Sequence, residues 1–419
     1  MTTASPPVHD TTTEPAGHPA TRSVAWAILA LSVGGFTIGT TEFVTMGLLP
    51  EMAAGVGVSI PQAGHVISAY ALGVVVGAPL IAVLGARLPR KGLLLALMVA
   101  YGVANAATAM APSFLSLAGA RFVAGLPHGA YFGVASLVAA SLVPAERRGR
   151  AVSRVMLGLA IANLVGVPAA AWLGQNLGWR SAYGAVTVLG VLTVLLVLAL
   201  VPVVAPDRTA TGRRELQAFS RLQVWLTLLA GAVGFGGMFA MYSYIAPTVT
   251  DVTRLSSSAV PLYLLAFGIG GVLGTTLGGV LADWSVLRSM VVANVAMGVF
   301  LVLFTVTAAQ PVAAWLTVLM VSMVGSVFVV SLQMRLMHVA GDAQTIGAAV
   351  NHASLNIANA LGAWLGGLVI AAGFGYTAPS WVGAGLSGLG LAVLAGSVLV
   401  HRRDTRWQPA QQRPSRSMS

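Results

Sequence analysis

Glu42, Arg121 and His128 are ionisable side chains set inside long apolar runs. A charge in the hydrocarbon of a bilayer costs at least about 2.5–3.5 kcal/mol, so such residues call for a functional reason. A carboxyl can take up and release a proton, and a histidine titrates near neutrality. An arginine stays charged and can only tune a neighbour or hold a hydroxyl. Glu42 flanks a stripe of Thr37, Thr41 and Thr45, one helical turn apart. Arg121, Gly125 and His128 share one helix face. The set reads as a proton-coupling group, with Glu42 as the carrier and Arg121 and His128 beside it. Thr41 and Thr45 read as a polar wall turned to a wet cavity and open to substrate. Structural hydrogen bonds within the helix packing are the competing reading for each of them.

A second set is uncharged. His352, Asn356 and Asn359 fall on one helix face and offer donors and acceptors to a neutral polar solute. They suit interhelical hydrogen bonds equally well. Phe235, Phe239 and Tyr242 form an aromatic stripe that can stack on a flat ligand or simply pack; Phe239 and Tyr242 are taken with the substrate group. Ser322 and Ser326 are weaker candidates of the same kind. Asp283 and the Arg87, Arg90, Lys91 cluster fall at helix ends, where an acid can pair with a base or cap a helix as one side closes. They read as gating residues, against the alternative that the bases only set orientation. Glu146, Arg147 and Arg148 carry the same pair of readings. Glu51, Asp251 and Arg254 fall outside the spans and read as solvated.

What must position these residues follows from composition. The chain has 419 residues, 57% of them hydrophobic and 8% charged, with mean hydropathy +0.86. Soluble domains carry about 25% charged residues, so a soluble enzyme, a nucleic-acid-binding domain and a disordered chain are all excluded. With no cysteine there is no disulfide, thiolate metal site or thiol nucleophile. Apolar runs of spanning length follow at 24–48, 63–86, 92–111, 115–142, 151–173, 181–204, 223–247, 259–283, 287–308, 312–337, 345–371 and 377–400. This predicts an all-α integral membrane protein of twelve transmembrane helices in two six-helix bundles. The bundles occupy 24–204 and 223–400, joined by a cytoplasmic linker at 205–222. A disordered N-terminal tail at 1–23 and a basic C-terminal tail at 401–419 flank them. The net charge of +11 sits in short loops, not in a nucleic-acid patch. Of 22 Lys and Arg, only Arg180 and Arg254 fall in loops on the side opposite the termini, and Arg121 falls within a span. That bias places both termini in the cytoplasm.

A faint internal repeat links the halves. Ile161-Ala162-Asn163 recurs as Ile357-Ala358-Asn359, and Trp172-Leu173-Gly174 as Trp364-Leu365-Gly366. Two six-helix halves imply a site between them near the bilayer midplane, reached from alternate sides as the halves rock.

Several motifs carry a resemblance. Gly85-Ala86-Arg87-Leu88-Pro89-Arg90-Lys91 is similar to the signature loop of the major facilitator superfamily, with Ala86 in place of the acid and Pro89 in place of the glycine. The matching place in the second half keeps the acid as Asp283. Arg121, Gly125 and Gly129 resemble that superfamily's Arg-x-x-x-Gly-x-x-x-Gly helix. Gly158, Gly166-Val167-Pro168 and Gly174 are similar to the Gly/Pro helix of its drug:H+ antiporters, with Val167 splitting the usual pair. Thr40-Thr41-Glu42-Phe43-Val44, Gly47-Leu48-Leu49-Pro50 and Leu126-Pro127-His128-Gly129 resemble the bacterial sugar-efflux and arabinose-efflux-permease-like branch. The resemblance covers about 24–400. It implies a secondary transporter of the bacterial inner membrane that exports a small solute against protons, with a sugar as the branch's substrate and an uncharged drug as its competitor.

The residues themselves narrow the choice. One acid and one arginine lie deep in the first half and neither type deep in the second, which suits a neutral or weakly cationic solute better than an organic phosphate. No G-x-x-x-x-G-K-[ST] loop is present, so ATP-driven pumping is not expected. No H-E-x-x-H or acid pair lies in a span, so neither an enzyme nor a metal site is expected, and no cofactor. A facilitator or importer of the same fold, with Glu42 binding substrate instead of protons, stays open as the alternative. The partners expected are a small-molecule substrate, protons and the lipid bilayer, with the chain a monomer.

Overall fold

The computed structural model describes residues 21–85, 88–203, 221–340 and 344–406. All its regular elements are helical. The first half holds α1 (Thr21–Gly47), α2 (Ile60–Gly85), α3 (Arg90–Met110), α4 (Phe114–Ser141), α5 (Arg148–Leu177) and α6 (Trp179–Leu200). The second half holds α7 (Leu222–Tyr242), the continuous helix Val260–Thr307, α10 (Pro311–Ala340), α11 (Gln344–Ala371) and α12 (Ala378–Arg406). Among the described residues, 11 helices are long and apolar enough to cross a membrane.

The eleventh-versus-twelfth discrepancy lies in Val260–Thr307, 48 residues long and too long for one crossing. Ser285 breaks it with an extended backbone, φ −167° and ψ 106°. The Ser285 hydroxyl accepts a hydrogen bond from the Arg288 amide, as an N-cap does, and a new helix starts there. The arms 260–284 and 286–307 are therefore α8 and α9, which gives twelve crossings and puts the start of α1 and the end of α12 at one end of the bundle. That end is the terminus end, and the opposite one the far end.

The predicted boundaries shift slightly. Helix α1 begins at Thr21, so the predicted tail lies outside the described residues only through residue 20. The predicted linker lies outside them through residue 220, and α7 begins at Leu222. Helix α12 runs on to Arg406, past the predicted boundary at 400.

Glycines set how the helices pair. A methyl on Gly158 would strike the Ser32 carbonyl oxygen, one on Gly166 the Thr40 hydroxyl, and one on Gly174 the Leu48 side chain. These three glycines therefore seat α5 directly on α1. Small residues allow this close approach, which dispersion and packing then reward. In the second half, Gly362 and Gly366 seat α11 on α7 in the same way. Gly73 and Gly77 of α2 face Phe122, Gly125 and Leu126 of α4; Gly270 and Gly274 of α8 face Leu319 and Met323 of α10. Each half thus repeats one pairing scheme.

Helix α5 carries a π-turn at Ala162–Gly166, just before Pro168. Proline has no amide hydrogen, so the α-helical ladder fails there and the backbone widens. The halves meet through α2 with α11 and through α5 with α8. Ser68 donates to the Ala360 carbonyl at 3.0 Å across the first contact, and Gly268 lies against the Asn163 backbone across the second.

Candidate functional site

Glu42 is 7% exposed and its carboxylate approaches His128 Nε2 at 4.0 Å. The other ring nitrogen of His128, Nδ1, lies 3.0 Å from the Tyr70 hydroxyl. That hydroxyl lies 3.4 Å from the Tyr101 hydroxyl, which donates to the Ile38 carbonyl at 3.3 Å. Helices α1, α2, α3 and α4 thus hold one buried polar chain. His128, Tyr70 and Tyr101 can orient one another, because His and Tyr both donate and accept.

Arg121 is fully buried, yet it does not form an ion pair with Glu42. Its guanidinium lies 4.1 Å from the Tyr70 ring centre and 5.5 Å from that of Tyr183. Nη2 donates to the Thr41 carbonyl at 3.4 Å, while Nε and Nη1 have no partner. A cation over aromatic faces replaces some of its lost hydration. Through the Thr41 carbonyl, Arg121 is held against the residue next to Glu42. The arrangement therefore brings Glu42, Arg121 and His128 together, as the sequence predicts, with tyrosines between them that the sequence reading missed. Tyr70 and Tyr101 are hydroxyl-bearing rings in otherwise apolar spans, and that is the signal by which they could have been found.

The threonine stripe faces elsewhere than expected. Thr37 Oγ1 lies 3.3 Å from Thr193 Oγ1 and Thr45 Oγ1 lies 2.7 Å from the Tyr183 hydroxyl, both on α6. The Thr41 hydroxyl bonds back to the Thr37 carbonyl at 3.4 Å. All three are fully buried inside the first half. The expectation of a wet cavity wall is corrected: α6 covers Thr37 and Thr45, and Thr41 is buried with its hydroxyl on its own helix.

The second set splits. Phe239 stacks on Phe43 of α1, with centroids 6.3 Å apart and planes 10° from parallel. Tyr242 stacks on Phe267 at 3.7 Å, and both approach Phe43 at about the same 6.3 and 6.2 Å. These rings join the halves towards the far end as an aromatic plug. His352 instead faces Phe132 of α4, with planes 3° apart. Asn356 donates to the His352 carbonyl at 3.0 Å and leaves its own oxygen unpartnered; both polar atoms of Asn359 are unpartnered, and both residues are buried. Ser322 is committed to the Phe267 carbonyl at 2.6 Å.

Of the predicted gating residues, Arg87 lies outside the described residues. Lys91 donates to the Leu198 carbonyl at 2.9 Å, inside its own half. Arg90 is half-buried, and Asp283 is exposed at the terminus end of α8. Among the described residues no ion pair joins them across the halves. Glu51 departs from its reading as solvated: one carboxylate oxygen is buried without a partner.

Twelve apolar helices in two similarly paired halves, closed on one another around buried ionisable and amide groups, define a multi-span membrane transporter. The chain belongs to the Major Facilitator Superfamily, whose family model matches residues 31–351. It is 40% identical over 377 residues to the inner membrane transport protein YdhP of Escherichia coli, covering 88% of this chain and 95% of that one. It is 34% identical to a chloramphenicol resistance protein of Streptomyces lividans, covering 87% and 93%. Among solved structures, a D-xylose-proton symporter shares the fold with TM-score 0.72 at 16% identity, covering 89% of this chain and 97% of that one.

Proposed function

We propose that this transporter exports a small neutral or weakly cationic solute in exchange for protons, with Glu42 as the proton carrier. The observation that carries the reading is the 4.0 Å approach of His128 to Glu42 within a buried chain ending at Tyr70 and Tyr101. A carboxyl next to a histidine has two stable proton arrangements, and the nearby charge of Arg121 biases the choice between them. Exchange requires that proton and solute each favour a different member of the same two-state equilibrium.

The solute wall is Asn356 and Asn359, whose free amide atoms suit an uncharged partner with both donors and acceptors. A buried amide without a partner costs about 1–3 kcal/mol, and a bound solute would recover part of it. Phe239 and Tyr242 seal the far end beside that wall. Opening between Phe132 and His352 would admit the solute from the terminus end. The Lys/Arg bias supports a cytoplasmic terminus end, so loading there is export. The relative named for chloramphenicol resistance supports an uncharged drug, and the sequence's branch resemblance supports a sugar.

The test is uptake of radiolabelled chloramphenicol and L-arabinose into inverted vesicles and proteoliposomes with an imposed pH gradient. Wild type should concentrate one of them only with the gradient, and Glu42→Gln should lose uphill transport while keeping downhill exchange. Equal uphill transport by Glu42→Gln removes Glu42 as the carrier. Absence of proton release when solute is added to purified protein favours a facilitator.

A further inference from the structure

At the terminus end of the first half, Arg147, Arg150 and Arg154 line a cavity of about 160 Å³ together with Val24, Ala25, Ile28, Val143 and Ala151. Arg150 and Arg154 lie in the first two turns of α5 and Arg147 sits at its N-cap, spaced i, i+3 and i+7 so that all three point to one side. Like charges at that spacing repel one another. Among the described residues no carboxylate lies within ion-pair distance of any of them. The first turn of α5 adds the positive end of the helix dipole to the same spot. Among the described residues the cavity is therefore a concentration of positive charge with no ion-paired acid.

What lies beyond it on the same helix face selects the counter-ion. Leu157 and Ile161 continue the stripe of Arg147, Arg150 and Arg154, and they are 52% and 42% exposed. Val165, within the π-turn, is 54% exposed. One helix face thus runs from three guanidinium groups into an exposed apolar track, Leu157 to Val165, about 12 Å long at 1.5 Å per residue and within one leaflet's depth. The other lip of the cavity, Val24 and Ile28 of α1, is apolar too. A soluble anion would use only the guanidinium groups. A phospholipid uses both parts, its phosphate in the basic cavity and its acyl chain along Leu157 and Ile161.

We propose that this face is a binding site for an anionic phospholipid, with the headgroup phosphate held by Arg147, Arg150 and Arg154. Guanidinium groups bind phosphate oxygens through paired hydrogen bonds, which a point charge does not do. The site is separate from Glu42 and stands whether or not the proton exchange above is correct.

Delipidated full-length protein would be titrated with dioleoyl phosphatidylglycerol, dioleoyl phosphatidylcholine and inorganic phosphate, and bound lipid read by native mass spectrometry. Phosphatidylglycerol should bind well above phosphatidylcholine. Each of R147Q, R150Q and R154Q should weaken it about five-fold, and the triple variant roughly a hundred-fold, from the attraction of each basic residue to an anionic lipid. R147K/R150K/R154K keeps the charge and the membrane orientation and should retain the preference while losing part of the affinity. Equal binding of the two lipids, or an unchanged preference in the triple Gln variant, overturns the proposal and leaves the arginines as orientation signals. Displacement of the lipid by millimolar phosphate, or a phosphate complex as tight as the lipid's, also overturns it, since the acyl track would then contribute nothing.

Discussion

Phe132 of the first half stacks on His352 of the second, with ring centres 5.7 Å apart and planes 3° from parallel. Phe132 also presents its ring to His128 at 5.4 Å, so one phenylalanine touches both the buried polar chain and the opposite half. The far end is joined by Phe43, Phe239, Tyr242 and Phe267, and this stack is the contact nearer the terminus end. A change in how the two halves sit is thereby felt next to His128.

Removing the stack should open the terminus end. An aromatic pair contributes about 0.5–1.5 kcal/mol beyond its buried area, so His352→Ala should raise the population open at that end by roughly two- to ten-fold. The chain has no cysteine, so spin labels on Ser141→Cys and His338→Cys report the distance without background. An unchanged distance distribution would show that the stack does not hold the halves.

The far end should respond in the opposite sense. Phe43 is the ring that the first half contributes to the plug, and it approaches three rings of the second half. Phe43→Ala should shift the population towards opening at the far end by at least ten-fold, given about 3–5 kcal/mol for a buried phenylalanine. Reactivity of Ala246→Cys, buried in this closed state, towards an impermeant maleimide, with and without the Phe43 change, measures it.

In the proposed exchange, Tyr70 would position His128 through its 3.0 Å contact with Nδ1 and leave proton carriage to Glu42. Tyr70→Phe keeps the ring under Arg121 and removes the 3.0 Å contact with Nδ1. A hydrogen bond is worth about 1 kcal/mol net, so proton-driven transport should fall roughly five-fold. The pH dependence of transport should move with it, while the melting temperature in detergent stays nearly unchanged. A fall in melting temperature with an unmoved pH profile would mark a purely structural tyrosine.

Two glycines on α4 should behave oppositely. A methyl on Gly125 would collide with the Tyr70 carbonyl oxygen, whereas one on Gly133 meets nothing within 4 Å. Gly125→Ala should cost about 1–3 kcal/mol or prevent folding. Gly133→Ala should be neutral or stabilise the helix by up to about 1 kcal/mol. Fluorescence-detected size exclusion after heating ranks the two.

Glu51 lies outside the spans in the short helix Leu49–Val56, and burial holds its carboxyl above the ordinary value of 4.5. The folded state then binds more protons than the unfolded state above that value, so its stability falls as pH rises through the window. Glu51→Gln should raise the melting temperature at pH 7 and leave it nearly unchanged at pH 4. Equal effects at both values would mean that the ionised form carries no penalty.

Much of this was legible in the residues. The scarcity of charge and the length of the apolar runs require a multi-span helical bundle, and the cost of Glu42 and Arg121 in lipid marks them without any coordinates. Ser285 separates two spans at the interval, 284–286, where the apolar runs already broke. The threonine stripe was legible only as a stripe. Which neighbour covers a helix face depends on how the helices are rotated, and periodicity is silent on that. Tyr70 and Tyr101 were passed over because a lone tyrosine in a span looks like any other large ring.

The sequence by itself determined the solvent in which this chain folds, the number of crossings and the identity of the costly residues, because those follow from transfer free energies summed along the chain. Only the tertiary structure decided that Glu42 meets His128 instead of pairing with Arg121, that Thr45 belongs to Tyr183, and that Phe132 spans to His352. Those choices turn on glycine contacts that fix helix separation and rotation to within an ångström, a precision that no one-dimensional pattern contains.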